Sequence, residues 1–301
     1  MKIVLTGSLG NIGKPLTIEL VQNGNSVTVI SSNPERASEI EMLGAIPAIG
    51  KMQDVDFLTT TFKDADIVFL METMEAVGDI FDKNVDFIDA ISKIGENYKQ
   101  AVEDSGVMRV IHLSSIGANL ENGNGILLFH HKVEEILKQL SDAVSITFIR
   151  PVGFYTNLFS LINTIKNKGK IISNYGGDKK EPWVSPLDIA SVIAAEMQNF
   201  SDVRKIRYVA SDEISPNEIA STLGKAIGKP DLKWTIISDE ELRNQWLSIG
   251  INPQVANGFI EMQASQGNGL LYADYYKNKP VLGKIKLADF AVDFATAFNK
   301  E

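Results

Sequence analysis

A glycine-rich loop near the start of the chain contains the first residues whose types and spacing could do chemistry. Residues 6–15 read Thr-Gly-Ser-Leu-Gly-Asn-Ile-Gly-Lys-Pro, directly after an apolar strand and at the start of an expected helix. Gly7 can form the tight turn, Gly10 lets the backbone approach a diphosphate, and Gly13 lets the helix pack closely on the sheet. The free amides of a helix N-terminus favour phosphate groups. The loop therefore predicts a dinucleotide site formed by Gly7, Ser8, Leu9, Gly10, Asn11 and Ile12.

The end of the second expected strand carries the residues that would choose between the two nicotinamide dinucleotides. An acidic side chain there accepts a hydrogen bond from the ribose 2′-hydroxyl of NAD and repels a 2′-phosphate. This chain has hydroxyls and an amide instead, followed by an arginine whose planar fork suits phosphate. The residues concerned are Ser31, Ser32, Asn33 and Arg36. They favour NADP(H) over NAD(H), and the same run can also cap the helix that follows.

Apolar runs that alternate with helical segments must position these residues. The expected strands are rich in β-branched residues and lie at Ile3–Thr6, Ser26–Ile30, Ile67–Met71, Arg109–Leu113 and Ser145–Ile149. Amphipathic helices are expected at about 12–23, 34–43, 54–62, 86–105 and 130–140. This order predicts the α/β class, with a doubly wound parallel Rossmann sheet.

The regular alternation ends after residue 150, which predicts a second, smaller unit. We expect a dinucleotide-binding Rossmann domain at 1–150 and a smaller C-terminal α/β lobe at 151–181 and 213–301. The chain is expected to return to the first domain at about 182–212. Pro186 should open a helix in that return segment, and Ser215 should cap the next helix of the lobe.

Composition excludes several classes of protein. The 301 residues include 29 Lys and Arg against 38 Asp and Glu, a net charge of −9, which opposes direct nucleic-acid binding. Cysteine is absent, so disulfides, thiolate metal sites and a cysteine nucleophile are excluded. No apolar stretch approaches the roughly 18 residues of a membrane span. The N-terminus enters a strand at once without a secretory signal, so cytoplasmic residence is expected.

Histidine and serine pairs do not predict metal or hydrolase chemistry. His130 and His131 are adjacent on a helix and point about 100° apart, so no metal site is predicted. Ser114 and Ser115 lack the Gly-x-Ser-x-Gly pattern of a nucleophile elbow. We expect these two serines either to close the loop after a strand by hydrogen bonding or to lie beside a bound nicotinamide.

Four further segments, together with the glycine loop, resemble the NmrA-like group of atypical short-chain dehydrogenase/reductases. That group includes small quinone reductases and NADP-sensing regulators. The segments are His112–Ala118, His131–Glu134, Arg150–Asn157 and Trp183–Ala190, and the resemblance spans most of the chain. It implies a cofactor that lies across the carboxyl ends of the strands, with its nicotinamide near Ser114, Ser115, Lys132 and Pro151.

The resemblance also implies a proton-transfer pair, of which this chain keeps one member. In the wider superfamily a tyrosine and a lysine one helical turn apart transfer the proton, and the lysine also holds the nicotinamide ribose. Lys132 is kept, but Leu128 stands four residues before it and carries no proton. His131 and Tyr155 are alternative catalytic residues, since imidazole groups in general titrate near neutral pH and Tyr155 lies just beyond the strand at Ser145–Ile149, where a substrate pocket would form. Lys132 borders an apolar stripe, where it can reach the cleft or cover apolar surface.

Two functions follow from these observations. The first is an NADPH-dependent oxidoreductase that reduces a quinone or another small carbonyl acceptor, with its acceptor in a cleft between the lobes. A quinone tolerates the missing tyrosine because water can protonate its oxygen after hydride addition. The second is a non-catalytic NAD(P)-binding redox sensor that acts through a protein partner. Sugar-nucleotide or isomerase chemistry is a third, weaker alternative.

Overall fold

The computed structural model describes residues 1–199 and 203–300. The strands are β1 (Lys2–Leu5), β2 (Ser26–Ser31), β3 (Ile46–Ile49), β4 (Ile67–Leu70), β5 (Arg109–Leu113), β6 (Ser145–Pro151), β7 (Gly153–Phe154), β8 (Ile171–Ser173), β9 (Glu181–Val184), β10 (Lys205–Val209), β11 (Asp212–Ile214) and β12 (Trp234–Ile236). The helices are α1 (Gly13–Gln22), α2 (Ala37–Met42), α3 (Val55–Phe62), α4 (Phe87–Ser105), α5 (Leu128–Leu137), α6 (Ile162–Lys168), α7 (Pro186–Gln198), α8 (Pro216–Ala226), α9 (Asp239–Ser248), α10 (Pro253–Asn268), α11 (Ala273–Lys277) and α12 (Leu287–Lys300).

A parallel sheet with the order β3-β2-β1-β4-β5-β6-β10 forms the centre of the molecule. All of its neighbouring strands run parallel. Helices α1 and α7 pack on one face, and α3, α4 and α5 pack on the other, so the sheet is buried on both sides. The predicted doubly wound Rossmann sheet is confirmed. In such a sheet, ligands bind at the carboxyl ends of the strands, where the strand order reverses between β1 and β4.

The strand β3 was not predicted from the sequence, although it extends the sheet by one position. It has four residues at the edge of the sheet, where its neighbour on one side is β2 alone. Its outer isoleucines, Ile46 and Ile49, are exposed, and Pro47 lacks the amide that a central strand would need. A short, half-exposed strand with a proline lacks the apolar run that identifies the buried strands of a parallel sheet.

Smaller sheets build the C-terminal part of the chain. Strands β11, β9 and β7 form one sheet, and β12 pairs with β8 in another. Helices α6, α8 and α12 enclose a separate apolar core around them. The expected return to the central sheet is made by β10, which pairs with β6. Residues 200–202 of the return segment and residue 301 lie outside the described residues, and the domain boundaries stay a prediction.

Capping residues start the helices of the return segment and the lobe where the sequence indicates. Ser185 accepts a hydrogen bond from the amide of Leu187 at the start of α7, and Pro186 occupies the first turn. Ser215 and Glu218 form a reciprocal capping box at the start of α8. Among the described residues, no helix combines the length and apolar character needed to cross a bilayer.

Candidate functional site

The glycine loop adopts a backbone that only a few residue types tolerate. Gly7 and Ser8 both have positive φ values, of 85° and 56°, and the Ser8 amide donates to the Ile30 carbonyl at 3.1 Å. A Cβ atom on Gly13 would overlap the carbonyl oxygen of Ser8. The close approach at Gly13 is therefore made to the loop itself, rather than to the sheet as the sequence suggested.

The N-terminus of α1 is open to an anion. No side chain caps it, and no acidic residue lies in its first turn. The Lys14 amide donates to the Gly10 carbonyl at 3.1 Å, so the amides before Lys14 have no partner within the helix. A Cβ on Gly10 would make an ordinary van der Waals contact with the Gly7 carbonyl oxygen at 3.8 Å, so a side chain there would not clash with the protein. Leu9 and Ile12 point into the core, so only their backbones can face a ligand.

A cavity of about 450 Å³, here called the polar cavity, adjoins this loop at the ends of β1, β2, β3 and β4. It is lined by Gly7, Ser8, Ile30, Ser31, Ser32, Gly50, Lys51, Met52, Gln53, Thr73, Glu75 and Ala76. Ser8 and Ser31 are joined by a hydrogen bond between their hydroxyls at 3.0 Å. The structure thus brings together the glycine loop and both serines. It adds Lys51, a cation on the loop after β3 that sequence reasoning missed.

Asn33 and Arg36 do not line the polar cavity. The Asn33 side chain accepts a hydrogen bond from the Glu35 amide at 2.9 Å and so caps the short turn at Pro34–Arg36. The Arg36 guanidinium pairs with Glu39 at 2.7 Å, and Lys14 pairs with the same carboxylate. The capping interpretation of this run is therefore confirmed, and Arg36 is engaged by a neighbour on its own helical segment.

A second and larger cavity, the aromatic cavity, lies beyond the ends of β5 and β6 and has a volume of about 610 Å³. All three tryptophans of the chain line it, together with three other aromatic residues and many aliphatic side chains. Its aromatic residues are Phe154, Tyr175, Trp183, Trp234, Trp246 and Phe259. Its polar residues are Ser115, His130, Asn157, Ser160, Ser173, Gln263 and Gln266. No lysine, arginine, aspartate or glutamate is among the described residues that line it.

A buried ion pair fixes α5 against the ends of β5 and β6. The Glu134 carboxylate accepts hydrogen bonds from Arg150 at 2.6 and 2.8 Å and from the Ser114 hydroxyl at 2.6 Å. Arg150 also donates to the Tyr208 hydroxyl at 3.1 Å. Although burial opposes ionisation, the hydrogen bonds and charge of Arg150 hold the pKa of Glu134 below its usual value. The Ser114 hydroxyl therefore takes part in this buried network, whereas Ser115 lines the aromatic cavity.

His130 is the residue of α5 that reaches the aromatic cavity. Burial lowers its pKa to about 3, with a smaller contribution from His112, so its imidazole is neutral at physiological pH. Its Nδ1 atom is buried and has no partner within the described part of the chain. Behind it, the Nε2 atom of His112 contacts the Glu72 carboxylate at 3.0 Å. A neutral imidazole can exchange hydrogen bonds with a ligand, but it carries no surplus proton to transfer.

Lys132 does not reach either cavity. It is exposed, and its charge acts on Asp86, the capping residue of α4. Residues two apart on a helix lie about 200° apart, so Lys132 points away from the face that carries His130 and Glu134. The pair on α5 that faces the ends of the strands is therefore His130 and Glu134. His130 lies two positions after Leu128, and Glu134 lies two positions after Lys132. The family resemblance pointed to the positions of Leu128 and Lys132, whereas His130 is the residue of α5 that lines the aromatic cavity.

The other sequence-predicted residues have structural contacts. The Nδ1 atom of His131 lies 2.9 Å from the Ala118 carbonyl and ties α5 to the loop after β5. Tyr155 is buried in the core of the lobe and stacks between Trp183 and Phe290. Burial raises its pKa above the usual value, with further contributions from nearby carboxylates. The Pro151 carbonyl accepts a hydrogen bond from the Ile116 amide at 2.8 Å, so Pro151 supports the loop that carries Ser115.

Comparison with known sequences decides the family. The sequence profile of the NmrA-like family matches residues 1–278. The chain belongs to the NmrA-like family. An uncharacterized protein of Schizosaccharomyces pombe is 23% identical to this NmrA-like protein over an alignment of 262 residues, and the match covers 80% of this chain and 84% of that protein.

Solved structures share this fold across nearly the whole chain. A nucleoside-diphosphate-sugar epimerase from Staphylococcus aureus has a TM-score of 0.78 at 18% identity and covers 97% of this chain and 100% of its own. The NADPH-dependent quinone oxidoreductase of Escherichia coli has a TM-score of 0.76 at 19% identity and covers 97% of this chain and 98% of its own. The NmrA-like chain therefore has the fold of NAD(P)-binding reductases and epimerases.

Proposed function

We propose that this NmrA-like protein is an NADPH-dependent oxidoreductase that reduces a flat aromatic acceptor of the quinone type. The observation that supports it is the pairing of two cavities at one edge of the sheet. The polar cavity lies beside an uncapped helix N-terminus, and the aromatic cavity next to it lacks charged residues within the described lining. The first suits the phosphates and ribose of a dinucleotide, and the second suits a flat aromatic ring system.

The residues of the polar cavity would hold the adenosine end of the cofactor. Backbone amides of the loop at 7–12 face the diphosphate, and the space beside Gly10 admits it. Ser31, Ser32 and Lys51 would contact a 2′-phosphate, which is the basis for preferring NADPH. Bound NADPH supplies a hydride to the acceptor. A nicotinamide that extends from this loop along the sheet edge would lie beside Ser115 and His130.

The lining of the aromatic cavity favours a quinone over a sugar nucleotide. A nucleotide diphosphate carries negative charges that proteins bind with lysine, arginine or helix N-termini, and the described lining supplies no such cation. Tryptophan faces suit a flat ring instead. Ser115, His130 and Asn157 can donate hydrogen bonds to the oxygen of a quinone, where negative charge develops. Water supplies the final proton, because the imidazole of His130 is neutral.

A redox sensor without turnover is the second candidate. Ser114 and Glu134 hydrogen-bond to each other, and His131 contacts the Ala118 carbonyl. The described lining of the aromatic cavity therefore contains no charged side chain that could donate a proton to an acceptor, and this favours the sensor. A sensor would bind NADP and NADPH with different affinities for two conformations and present one of them to a protein partner. A molecule bound in the aromatic cavity of such a sensor would not oxidise NADPH.

Oxidation of NADPH in the presence of menadione tests the proposed function. The purified protein should consume NADPH, measured at the nicotinamide absorbance band, only when the quinone is present. Gly10→Val should abolish NADPH binding in calorimetry, because the added side chain would occupy the approach of the diphosphate. The variant should still fold, because a Cβ at this position makes only an ordinary contact with the Gly7 carbonyl oxygen. Tight NADPH binding with no oxidation by any of a panel of quinones would support the sensor instead. Unchanged cofactor binding in Gly10→Val would contradict the site.

A further inference from the structure

Glu181 is a buried carboxyl group directly behind the wall of the aromatic cavity. It lies on β9 and is 4% exposed. The Tyr175 hydroxyl and the Trp183 indole nitrogen each donate to its Oε1 atom at 3.2 Å, and the Tyr272 hydroxyl donates to Oε2 at 3.4 Å. Tyr175 and Trp183 also line the cavity. A single layer of aromatic rings therefore separates this carboxyl group from the space where an acceptor would lie.

The groups that contact Glu181 are all uncharged. Burial raises the pKa of Tyr175 and Tyr272 well above the usual value, so both phenols stay protonated and act as donors. Lys179 on the preceding loop attracts the carboxylate only at longer range, and Tyr276 also feels its charge. Burial raises the pKa of Glu181 itself to about 7. A carboxylate held by neutral donors keeps most of its negative potential, because no cation neutralises it at close range.

The described lining of the aromatic cavity has no charge that would offset the negative potential of the Glu181 carboxylate. The only titratable imidazole of this lining, that of His130, is neutral. Trp183, Trp234 and Trp246 line the cavity, and the faces of indole rings carry a negative quadrupole that attracts cations. A ligand inside the cavity would therefore meet apolar ring faces and, one layer behind them, a single negative charge. These conditions favour a flat molecule that carries a delocalised positive charge.

We propose that this cavity selects flat aromatic cations over uncharged molecules of the same shape, and that the Glu181 carboxylate provides the selection. Such a cation is also a suitable hydride acceptor. When its electrophilic carbon gains a hydride, a C–H bond forms, the positive charge is neutralised, and NADPH is oxidised to NADP⁺. The product needs no proton, so the absence of a charged acid beside Ser115 and His130 is no obstacle. This hydride step rests on the proposed function, whereas the binding preference does not.

Equilibrium binding of 10-methylacridinium and of acridine tests the proposal. The two probes share three fused rings, and acridine is uncharged at pH 8.5. In the wild-type chain, 10-methylacridinium should bind about tenfold more tightly than acridine at pH 8.5, measured by fluorescence titration without cofactor. Its affinity should fall about tenfold at pH 5.5, where Glu181 is protonated. Tyr175, Tyr272 and Tyr276 have raised pKa values and stay protonated over this range, so they do not produce the change.

Glu181→Gln is the decisive variant, since glutamine keeps the size of the side chain and an oxygen that accepts hydrogen bonds. It should abolish both the cation preference and its pH dependence. Glu213→Gln is the matched control, because Glu213 lies on the neighbouring strand β11 and bonds to Tyr275 and Lys279, outside the described lining. This control should keep both properties. Equal affinity for the two probes in the wild-type chain, or a preference that survives in Glu181→Gln, would overturn the proposal.

Addition of NADPH then separates this inference from the proposed function. Conversion of 10-methylacridinium to its dihydro product, accompanied by NADPH oxidation, supports both. Cation-selective binding with no oxidation of NADPH by either the cation or menadione supports the inference and overturns the proposed function. Oxidation of NADPH by menadione without cation-selective binding supports the proposed function and overturns the inference.

Discussion

Lys51 is the residue on which the proposed choice of cofactor depends. It lines the polar cavity together with Ser31 and Ser32, and it is exposed, so its ammonium group can approach a 2′-phosphate. Lys51→Ala should therefore raise the Kd for NADPH about tenfold, a loss of about 1.4 kcal/mol, and leave the Kd for NADH nearly unchanged. Isothermal titration calorimetry with both cofactors measures the two values.

Arg36→Ala is the matched control for this prediction. Arg36 is a cation of the same loop region, but its guanidinium is held by Glu39 outside the polar cavity. Its removal should change the affinity for NADPH by less than threefold. A larger effect from Arg36 than from Lys51 would return the role of phosphate ligand to the residue that the sequence favoured.

The sequence predicted that Ser31 and Ser32 lie at the edge of the sheet, but it did not predict the position of Lys51. Ser31 and Ser32 end a buried strand with a clear apolar run, so their position at the sheet edge could be predicted. Lys51 follows β3. That strand could not be recognised in the sequence, because it contains a proline and its two isoleucines are exposed. Without that strand, nothing in the sequence places Lys51 beside residues some twenty positions earlier.

Helix α5 shows how a charged pair positions an element. Glu134 joins α5 to Ser114 after β5 and to Arg150 on β6, and all three side chains are buried. Glu134→Gln removes the buried carboxylate that Arg150 contacts at 2.6 Å and leaves Asp274, at 3.7 Å, as the acidic partner of the guanidinium. We expect a loss of about 3 kcal/mol in the free energy of unfolding, measured by urea denaturation at pH 7.

Lys132→Ala on the same helix is the control, because Lys132 is exposed and contacts neither cavity. Its free energy of unfolding should change by less than about 0.5 kcal/mol, and NADPH oxidation should be unaffected. A loss of NADPH oxidation in Lys132→Ala with normal stability would restore the proton-transfer role that the family resemblance implied. A small effect of Glu134→Gln would show that the buried pair does not hold α5 in place.

At the scale of elements, prediction succeeded where the local signal was strong. Apolar runs in the sequence indicate the buried strands β1, β2, β4, β5 and β6, and the pattern Ser-x-x-Glu indicates the capping box of α8. The strands of the two smaller sheets are two to four residues long, too short to show a period. Their pairing depends on contacts between segments distant in the chain, which no local pattern reports.

The arrangement of the two cavities is a property of the whole molecule. The polar cavity is built by loops within the first 76 residues, and the glycine loop indicates it directly. The aromatic cavity is lined by residues from Ile80 to Leu271, contributed by both the sheet edge and the lobe. Its aromatic residues were visible in the sequence but could not be placed, because tryptophans that lie far apart along the chain meet only through the topology of the lobe.

Glu181 should also make the stability of the whole molecule depend on pH. Its pKa is raised by burial to about 7 from an ordinary value of 4.5, so folding favours the protonated form. The associated stability is complete below pH 4.5 and is lost as the pH rises through 7. Comparing the two pKa values, we expect the wild-type chain to lose about 2 kcal/mol relative to Glu181→Gln between pH 5 and pH 8.

Urea denaturation of both chains at these pH values measures the difference, and Glu213→Gln serves as the control for a general charge effect. If the stability difference between wild type and Glu181→Gln is the same at both pH values, the carboxyl group does not titrate in this range, which contradicts the raised pKa of Glu181.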